Sequence, residues 1–561
     1  LTELLRLVHL LLFTLLFWGL GASVRSLFPA RASGNFLETV GLGLASLLLI
    51  VFLLGFFNGG LTPSHLWLAL GLLALAGLIL RRARTRPLAP TQPPDRLFLL
   101  LGGILLLTRL LQIRGLFVPN WVDGLNHQLL LQRWDGLATI SSDRIYHTGF
   151  HMVALALRYL TGWDFPSLML SYGQWLGVFF GLSFYLFLKE LLERSLTAFL
   201  AAATASLFLL FPSYLISWGR YPLLQGLALL PFALSFALSY FRHSEPTLLP
   251  PLAALTALSL SHYGATLFWF AFVVTHIVQA RKTEIVSRLK RLTLLLLPLV
   301  LAFLPRLLLL LQRTDLLLAL EKEALPSNTG HVLELISAHD WPFLLLAAFG
   351  LWLIIVREPR LLLPSAGWGA VALAVTFAQV NLFGSSAFGY ENALIFLALP
   401  VSLLAGWGLE KIWGWARHPA LAWTLALFFL AAGCVRSADI INPDTVLFTS
   451  EDRLAFDWVS ANLPPDAVIL VNSAWWGDRY APSDGGAWLN PLTGRETVFA
   501  ESASELEDAS GLARRAGVDY VYIGGGYGGL SVAQFLDDPN YELVYRSDDV
   551  TIYRVVGEFE N

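Results

Sequence analysis

One cysteine and two methionines serve the whole 561-residue chain, and only 14% of its residues are charged. Each shortage excludes something. With Cys434 alone, no intrachain disulfide can form and a thiolate metal centre is out of reach. Soluble domains of average composition carry about 25% charged residues, so much of this chain is not made for water. The net charge of −3 offers no basic footprint, and nucleic acid is excluded as a partner. No repeat recurs at solenoid spacing. No basic segment with a cleavage site precedes Leu4–Leu20, so that stretch is expected to be a first span and not a removable signal. The sequence opens on Leu1 in place of Met, which leaves its true start open.

What fills the space is apolar: 56% of the residues are hydrophobic, and mean hydropathy is +0.63. About fourteen runs approach the ~17–25 residues that cross a bilayer as a helix. They predict spans near 4–21, 37–57, 63–80, 97–114, 164–188, 196–216, 223–241, 247–262, 264–280, 293–311, 341–356, 361–380, 390–408 and 419–435. The fold class is therefore an α-helical polytopic membrane protein. Its basic loops assign sides. Arg81, Arg82, Arg84, Arg86 and Arg96 share one loop, and Arg281, Lys282, Arg288, Lys290 and Arg291 another. Arg357 with Arg360, and Lys411 with Arg417, mark two more on the same side, which is expected to be the cytoplasm. The N-terminus, residues 115–163, 312–340 and 381–391, and everything after Arg436 then face outward from a cell membrane.

From Ser437 to Asn561 the composition changes to charge, Gly, Asp and Pro around short β-rich runs. Val468–Asn472, Thr497–Ala500, Tyr520–Ile523, Glu542–Arg546 and Val550–Val555 read as strands, the last two a hairpin across Ser547–Asp549. Glu451–Asn462, Glu505–Gly517 and Leu530–Leu536 read as helices. The alternation predicts a small α/β domain. Within it, Gly524-Gly-Gly-Tyr-Gly-Gly529 satisfies the dinucleotide fingerprint G-x-G-x-x-G in form. Asp548 and Asp549 fit a hairpin turn better than a ribose ligand, and an outward domain meets no nicotinamide cofactor.

Polar residues collect on the outward side. Asp123 and His127 are four apart and share a helix face. A carboxylate there can act as a general base on an attacking hydroxyl, hold a divalent cation that screens phosphate, or cap a short interfacial helix. Asp135, Asp143, His147 and His151 follow in the same loop, the two histidines with the spacing of half a metal site. Arg109 and Arg306 lie inside spans near their outer ends, where a guanidinium either snorkels to the headgroups or meets an anion such as a lipid phosphate. Short outer turns carry Arg220 and Tyr221, with Gln225 one turn on, and His262 with Tyr263. Glu391 stands at the mouth of a span, where a carboxylate needs a partner.

Asn120-Trp-Val-Asp-Gly-Leu-Asn-His127, Trp218-Gly-Arg-Tyr-Pro-Leu-Leu-Gln225 and Ser261-His-Tyr-Gly264, with the outward α/β tail, resemble the GT-C superfamily of membrane glycosyltransferases. Trp475-Trp-Gly-Asp-Arg479, Gly485-Gly-Ala-Trp488 and Leu492-Thr-Gly-Arg495 look like the tail of uncharacterised prokaryotic members. The resemblance covers residues 97–561. It divides the chain into 1–96 (three spans and a cytoplasmic linker), 97–436 (the GT-C-like membrane domain) and 437–561 (the outer domain).

It implies an inverting transfer of a sugar from a polyprenyl-phosphate donor to an extracytoplasmic glycan, lipid or protein acceptor. Asp123 would be the base, with Asp135 and Asp143 in reserve. His127, Arg220, Tyr221, Gln225, His262, Tyr263 and Glu391 would shape the pocket, and Arg109 or Arg306 would hold phosphate. No cofactor is fixed; a divalent cation, Mg or Mn, is compatible, although the usual paired acids are missing, with Val122 and Gly124 flanking Asp123. Two rivals remain: a lipid or solute transporter, and an assembly or scaffold protein whose outer domain binds a partner.

Overall fold

A computed structural model describes residues 2–27, 35–57, 61–83, 94–135, 147–242, 247–312, 329–374, 390–415, 418–476 and 479–556. The first three helices are α1 (Thr2–Arg25), α2 (Phe36–Phe57) and α3 (Pro63–Ala83). α1 and α2 approach closely enough that a Cβ at Gly21 would lie 1.7 Å from the Thr39 carbonyl oxygen, and one at Gly43 would lie 1.7 Å from that of Phe17. Small residues at that crossing let two backbones meet where apolar burial against lipid drives nothing.

α4 (Arg96–Gln112) begins at Asp95, whose carboxylate accepts from the Phe98 N–H at 2.8 Å. Two shorter helices follow, α5 (Trp121–Trp134) and α6 (Gly149–Thr161), and then the long α7 (Phe165–Leu192), capped by Asp164. α8 (Ser195–Ala203) widens into a π-turn at Thr204–Phe208 and a 3₁₀ turn at Ser213–Ile216 before α9 (Tyr221–Arg242). α10 (Leu249–Ser261), α11 (Tyr263–Val278), α12 (Lys282–Gln312), α13 (Thr329–Arg357), α14 (Tyr390–Phe396), α15 (Ala398–Trp415) and α16 (Pro419–Ala438) complete the membrane part.

Among the described residues nine helical stretches are long and apolar enough to cross a membrane. The other expected spans correspond to α4, the shorter apolar helices α10 and α11, the part of α12 beyond its charged first turns, and a segment described only to residue 374. The basic ends of α9 (Arg242) and α13 (Arg357) gather at the Leu192 end of α7, where Arg242 donates to the Glu190 carbonyl and Arg194 pairs with Glu358, while the C-terminal domain packs near the opposite, Phe165 end.

The tail is an α/β unit. β4 (Glu496–Val498), β1 (Val468–Val471), β5 (Tyr520–Ile523), β7 (Thr551–Val555) and β6 (Tyr541–Arg546) form one sheet in that order. β1 runs parallel to β4 and β5, while β7 runs antiparallel to β5 and β6. The five expected strands are present within a residue or two. Three details differ. A separate hairpin of β2 (Ser473–Trp475) and β3 (Tyr480–Pro482) branches directly from β1. The expected helix 505–517 is two, α18 (Ala503–Glu507) and α19 (Ala509–Arg515), broken where the Asp508 carboxylate leaves the helix to accept from the Gly511 N–H at 3.0 Å. Leu530–Leu536 holds only a 3₁₀ turn, Val532–Gln534.

The domain is seated on the membrane part through its first helix, α17 (Ser450–Asn462). Its core residues Phe448, Phe456 and Trp488 share one apolar cluster with Val118 and Leu125 from the start of the α5 region. Gln132 Nε2 donates to the Pro491 carbonyl at 2.7 Å, and the Asn442 N–H to Ser217 Oγ at 2.8 Å.

Candidate active site

α5 begins at Asn120, and Asp123 lies in its first turn, where a carboxylate is favoured by the helix dipole. The cap residue is therefore Asn120 and not Asp123, which frees the Asp123 side chain to leave the helix. It does so toward Arg220: Asp123 Oδ2 stands 3.4 Å from Arg220 Nε. Arg220 Nη1 donates to Glu391 Oε1 in the first turn of α14. The guanidinium also lies 4.7 Å over the Trp218 ring. Three residues far apart in sequence thus meet in one acid–arginine–acid group.

The turn before Arg220 explains the meeting. Gly219 has φ 64°, and a Cβ there would lie 2.5 Å from the Gly124 nitrogen and 2.6 Å from the Asn120 carbonyl oxygen. Only glycine lets this turn press against the start of α5. The neighbouring Trp121 itself sits at φ 61°, a costly backbone for a bulky residue and one that functional sites often hold. Its ring meets Trp476 of the β2–β3 hairpin edge to face at 4.4 Å. Asp123 keeps 42% exposure. Burial pushes its carboxyl up from the ordinary range, while Arg220 and, more weakly, Arg479 pull it down.

Behind this group lies an aromatic and histidine layer. Tyr221 is buried and stacks on Phe150 at 5.1 Å. His127 Nδ1 and His151 Nε2 are 3.0 Å apart, and burial pushes the His127 imidazole down to about 3. His147 lies 4.3 Å from the His262 ring and 4.6 Å from Tyr263. Gln225 is held from both ends, accepting from Tyr172 at 2.9 Å and donating to Ser261 Oγ at 2.7 Å. Buried Asn120 Nδ2, Tyr221 Oη and His262 Nδ1 have no hydrogen-bond partner among the described residues. Such atoms cost free energy unless a ligand meets them.

The comparisons with known proteins rest on shape. No protein-family model matches the sequence, and no curated protein does. Among solved structures, the arabinofuranosyltransferase AftD from Mycobacteria superposes with a TM-score of 0.50 at 15% identity, over 84% of this chain and 40% of that one. That likeness shows a fold shared with this arabinofuranosyltransferase. An oligosaccharyltransferase from Archaeoglobus fulgidus, in complex with Zn and sulfate, aligns at 14% identity and a TM-score of 0.46, over 76% of this chain and 67% of that one. The chain spans well under half the length of AftD.

Within this fold the expected site residues divide. Asp123, Arg220 and Glu391 are in direct contact, and His127, Tyr221, Gln225, His262 and Tyr263 form the layer behind them. Arg109 is elsewhere. Its guanidinium is buried and donates to Gln112 Oε1 at 3.0 Å, the Ser206 carbonyl at 3.0 Å and Ser213 Oγ at 2.7 Å. It binds the irregular 204–216 stretch to α4 and is committed to the chain's own acceptors. The Arg306 side chain and Asp143 lie outside the described residues. Asp135 closes α5 and pairs loosely with Arg158 at 3.9 Å.

Asp123 and Glu391 are both engaged by Arg220, and among the described residues no three His, Cys, Asp or Glu side chains are placed to hold a metal. The sequence reading missed the contribution of the hairpin, Trp476 and Arg479. Its signal was the tryptophan pair Trp475-Trp476, with Trp475 left 55% exposed in a domain otherwise folded around its own core.

Proposed function

We propose that the protein transfers a sugar from a polyprenyl-phosphate-linked donor to an acceptor on the extracytoplasmic side of a cell membrane. The Asp123–Arg220–Glu391 group carries this reading. The basic helix ends on the opposite face support the orientation, since cationic loops stay in the cytoplasm. Residues 97–436 would then be the catalytic membrane domain and the α/β tail an outward acceptor-side domain.

The chemistry is an in-line displacement. The acceptor hydroxyl attacks the anomeric carbon, the glycosidic carbon–oxygen bond to phosphate breaks, and polyprenyl phosphate leaves with the bonding electrons. Asp123 accepts the hydroxyl proton, and burial raises its basicity for that task. Arg220, fixed by Glu391 and Trp218, is placed to receive the phosphate oxyanion, whose charge grows as the bond breaks. Tyr221 and His262 offer neutral hydrogen-bonding atoms for sugar hydroxyls. Trp121 and Trp476 offer an apolar face against which a sugar ring can lie.

The test is transfer from a radiolabelled polyprenyl-phosphate sugar by purified protein. Asp123→Asn is expected to lose about 10²–10⁴-fold in rate, the usual worth of a positioned base, with donor binding retained. Full activity in that variant removes Asp123 from the role; absence of donor binding by the folded wild type removes the donor class.

A further inference from the structure

A second cavity, of about 330 Å³, opens where α1, the start of α7 and the first helix of the C-terminal domain meet. It lies apart from the acid–arginine–acid group, none of whose members lines it. We propose that it binds the phosphate headgroup of a bilayer phospholipid, whose acyl chains lie along the outer stripe of α1. The inference rests on the membrane fold and not on the transferase reading.

Two cations define the polar end. Arg6 is buried against the loop after α4, where Nη1 donates to the Ile113 carbonyl at 2.6 Å and Nη2 to the Leu116 carbonyl. Glu3 balances its charge at 2.8 Å. Arg453, on α17, lies 5.0 Å over the Phe117 ring, and among the described residues no carboxylate stands within ion-pair range of it. A cation held flat at the rim of a cavity, with no ion-pair partner among the described residues, suits an oxyanion. His9 adds a hydrogen-bonding ring, fixed by stacking on Trp163 at 3.6 Å and by Ser171 Oγ at 2.9 Å. The start of α7 lines the same space, where the Asp164 carboxylate caps the helix and accepts from the Ser167 N–H at 2.9 Å, so the cations must outweigh this one acid.

The apolar end is continuous with the bilayer surface. Leu5 lines the cavity and begins a stripe of exposed α1 residues, Leu5, Val8, Leu12 and Leu15, at 53%, 40%, 43% and 62% exposure. Steps of three and four residues keep them on one helix face. A soluble phosphate would use the cations and leave this stripe untouched; a phospholipid uses both. Bridging Arg453 of the domain and α1 of the membrane part, such a lipid would also fasten the two together.

The experiment is titration of detergent-solubilised full chain with dioleoyl phosphatidylglycerol, read by native mass spectrometry and by thermal shift. Diacylglycerol with the same chains and glycerol 3-phosphate with the same headgroup are run beside it. Phosphatidylglycerol is expected to bind at least about tenfold more tightly than either. Arg453→Glu is expected to weaken it about tenfold, whereas Arg515→Glu, on an exposed arginine of the same domain away from the cavity, leaves it unchanged. Arg453 is exposed on its helix, so the fold tolerates the change. Equal binding of glycerol 3-phosphate, equal binding of diacylglycerol, or indifference to Arg453→Glu would each overturn the assignment.

Discussion

Arg220 Nε stands 3.4 Å from Asp123 Oδ2 while the other arm of the same guanidinium engages Glu391. One cation therefore bridges two carboxylates that α5 and α14 bring to the same place, offsetting part of their charge and of their mutual repulsion. This arrangement sets a balance on Asp123, because burial favours the protonated form and Arg220 the ionised one.

Replacing Arg220 disturbs that balance in a readable direction. On the proposed role Asp123 must be ionised to act as base, so transfer is expected to fall as pH drops through its pKa. Without Arg220 the pulling-down influence is gone, and the acid limb of the kcat/KM profile moves to higher pH. Arg220→Lys keeps the charge without the fork and is expected to restore part of the position of the limb but little of the rate. An acid limb that stays where it is in Arg220→Ala would separate Asp123 from the rate-determining proton transfer.

Gly219→Ala tests the turn. The new methyl would sit 2.5 Å from the Gly124 nitrogen, on a backbone at φ 64°. Strain of about 1–3 kcal/mol is expected from an unfavourable backbone region, and the turn would withdraw Arg220 from Asp123. The outcome to look for is a lowered Tm together with an activity loss larger than the stability change explains at a temperature where the variant is folded.

Much of this architecture was legible because each element announces itself locally. Apolar runs of bilayer length and basic loops define the spans, and runs such as Val468–Val471 and Tyr520–Ile523 carry strand chemistry in a few residues. The β2–β3 hairpin was not legible, since its strands are three residues long and only Asn472 separates β2 from β1. Asp508 interrupts a helical pattern by capping the next turn, a choice made by one hydrogen bond. The site was legible as a set of charges in places that need a reason, not as a contact. Arg109 shows the limit: a guanidinium in a span reads as an anion ligand or a snorkelling side chain, and here it serves the Ser206 carbonyl of a π-turn and the Ser213 hydroxyl of a 3₁₀ turn that no sequence pattern foretold.

Arg109→Met separates clamp from phosphate ligand. The side chain makes three buried hydrogen bonds, and leaving such partners unsatisfied costs about 1–3 kcal/mol each. A large fall in Tm with unchanged donor affinity in the protein that remains folded is expected. A fall in donor affinity without a fall in Tm would return Arg109 to the donor site.

The C-terminal domain holds its own titratable centre. Asp484 is fully buried beneath the glycine-rich loop, where it accepts from the Gly524 N–H at 2.6 Å and the Gly486 N–H at 2.8 Å. Burial, opposed by the Gly524 hydrogen bond and aided by the nearby Asp452, pushes its carboxyl up to about 7 against an ordinary 3.8. A folded-state value above the unfolded one means that the folded chain binds the extra proton between those two limits. Stability therefore rises as pH falls from about 7 toward 4, the reverse of the usual acid response of a paired carboxylate. Hydrogen exchange at Gly486 and Gly524, corrected for the intrinsic pH dependence, is expected to slow over that interval in the wild type. In Asp484→Asn the protection should be lower at every pH but flat across the same range. A slope that survives the substitution would move the titration to Asp452, which hydrogen-bonds Tyr522 at 2.6 Å and is itself raised by burial.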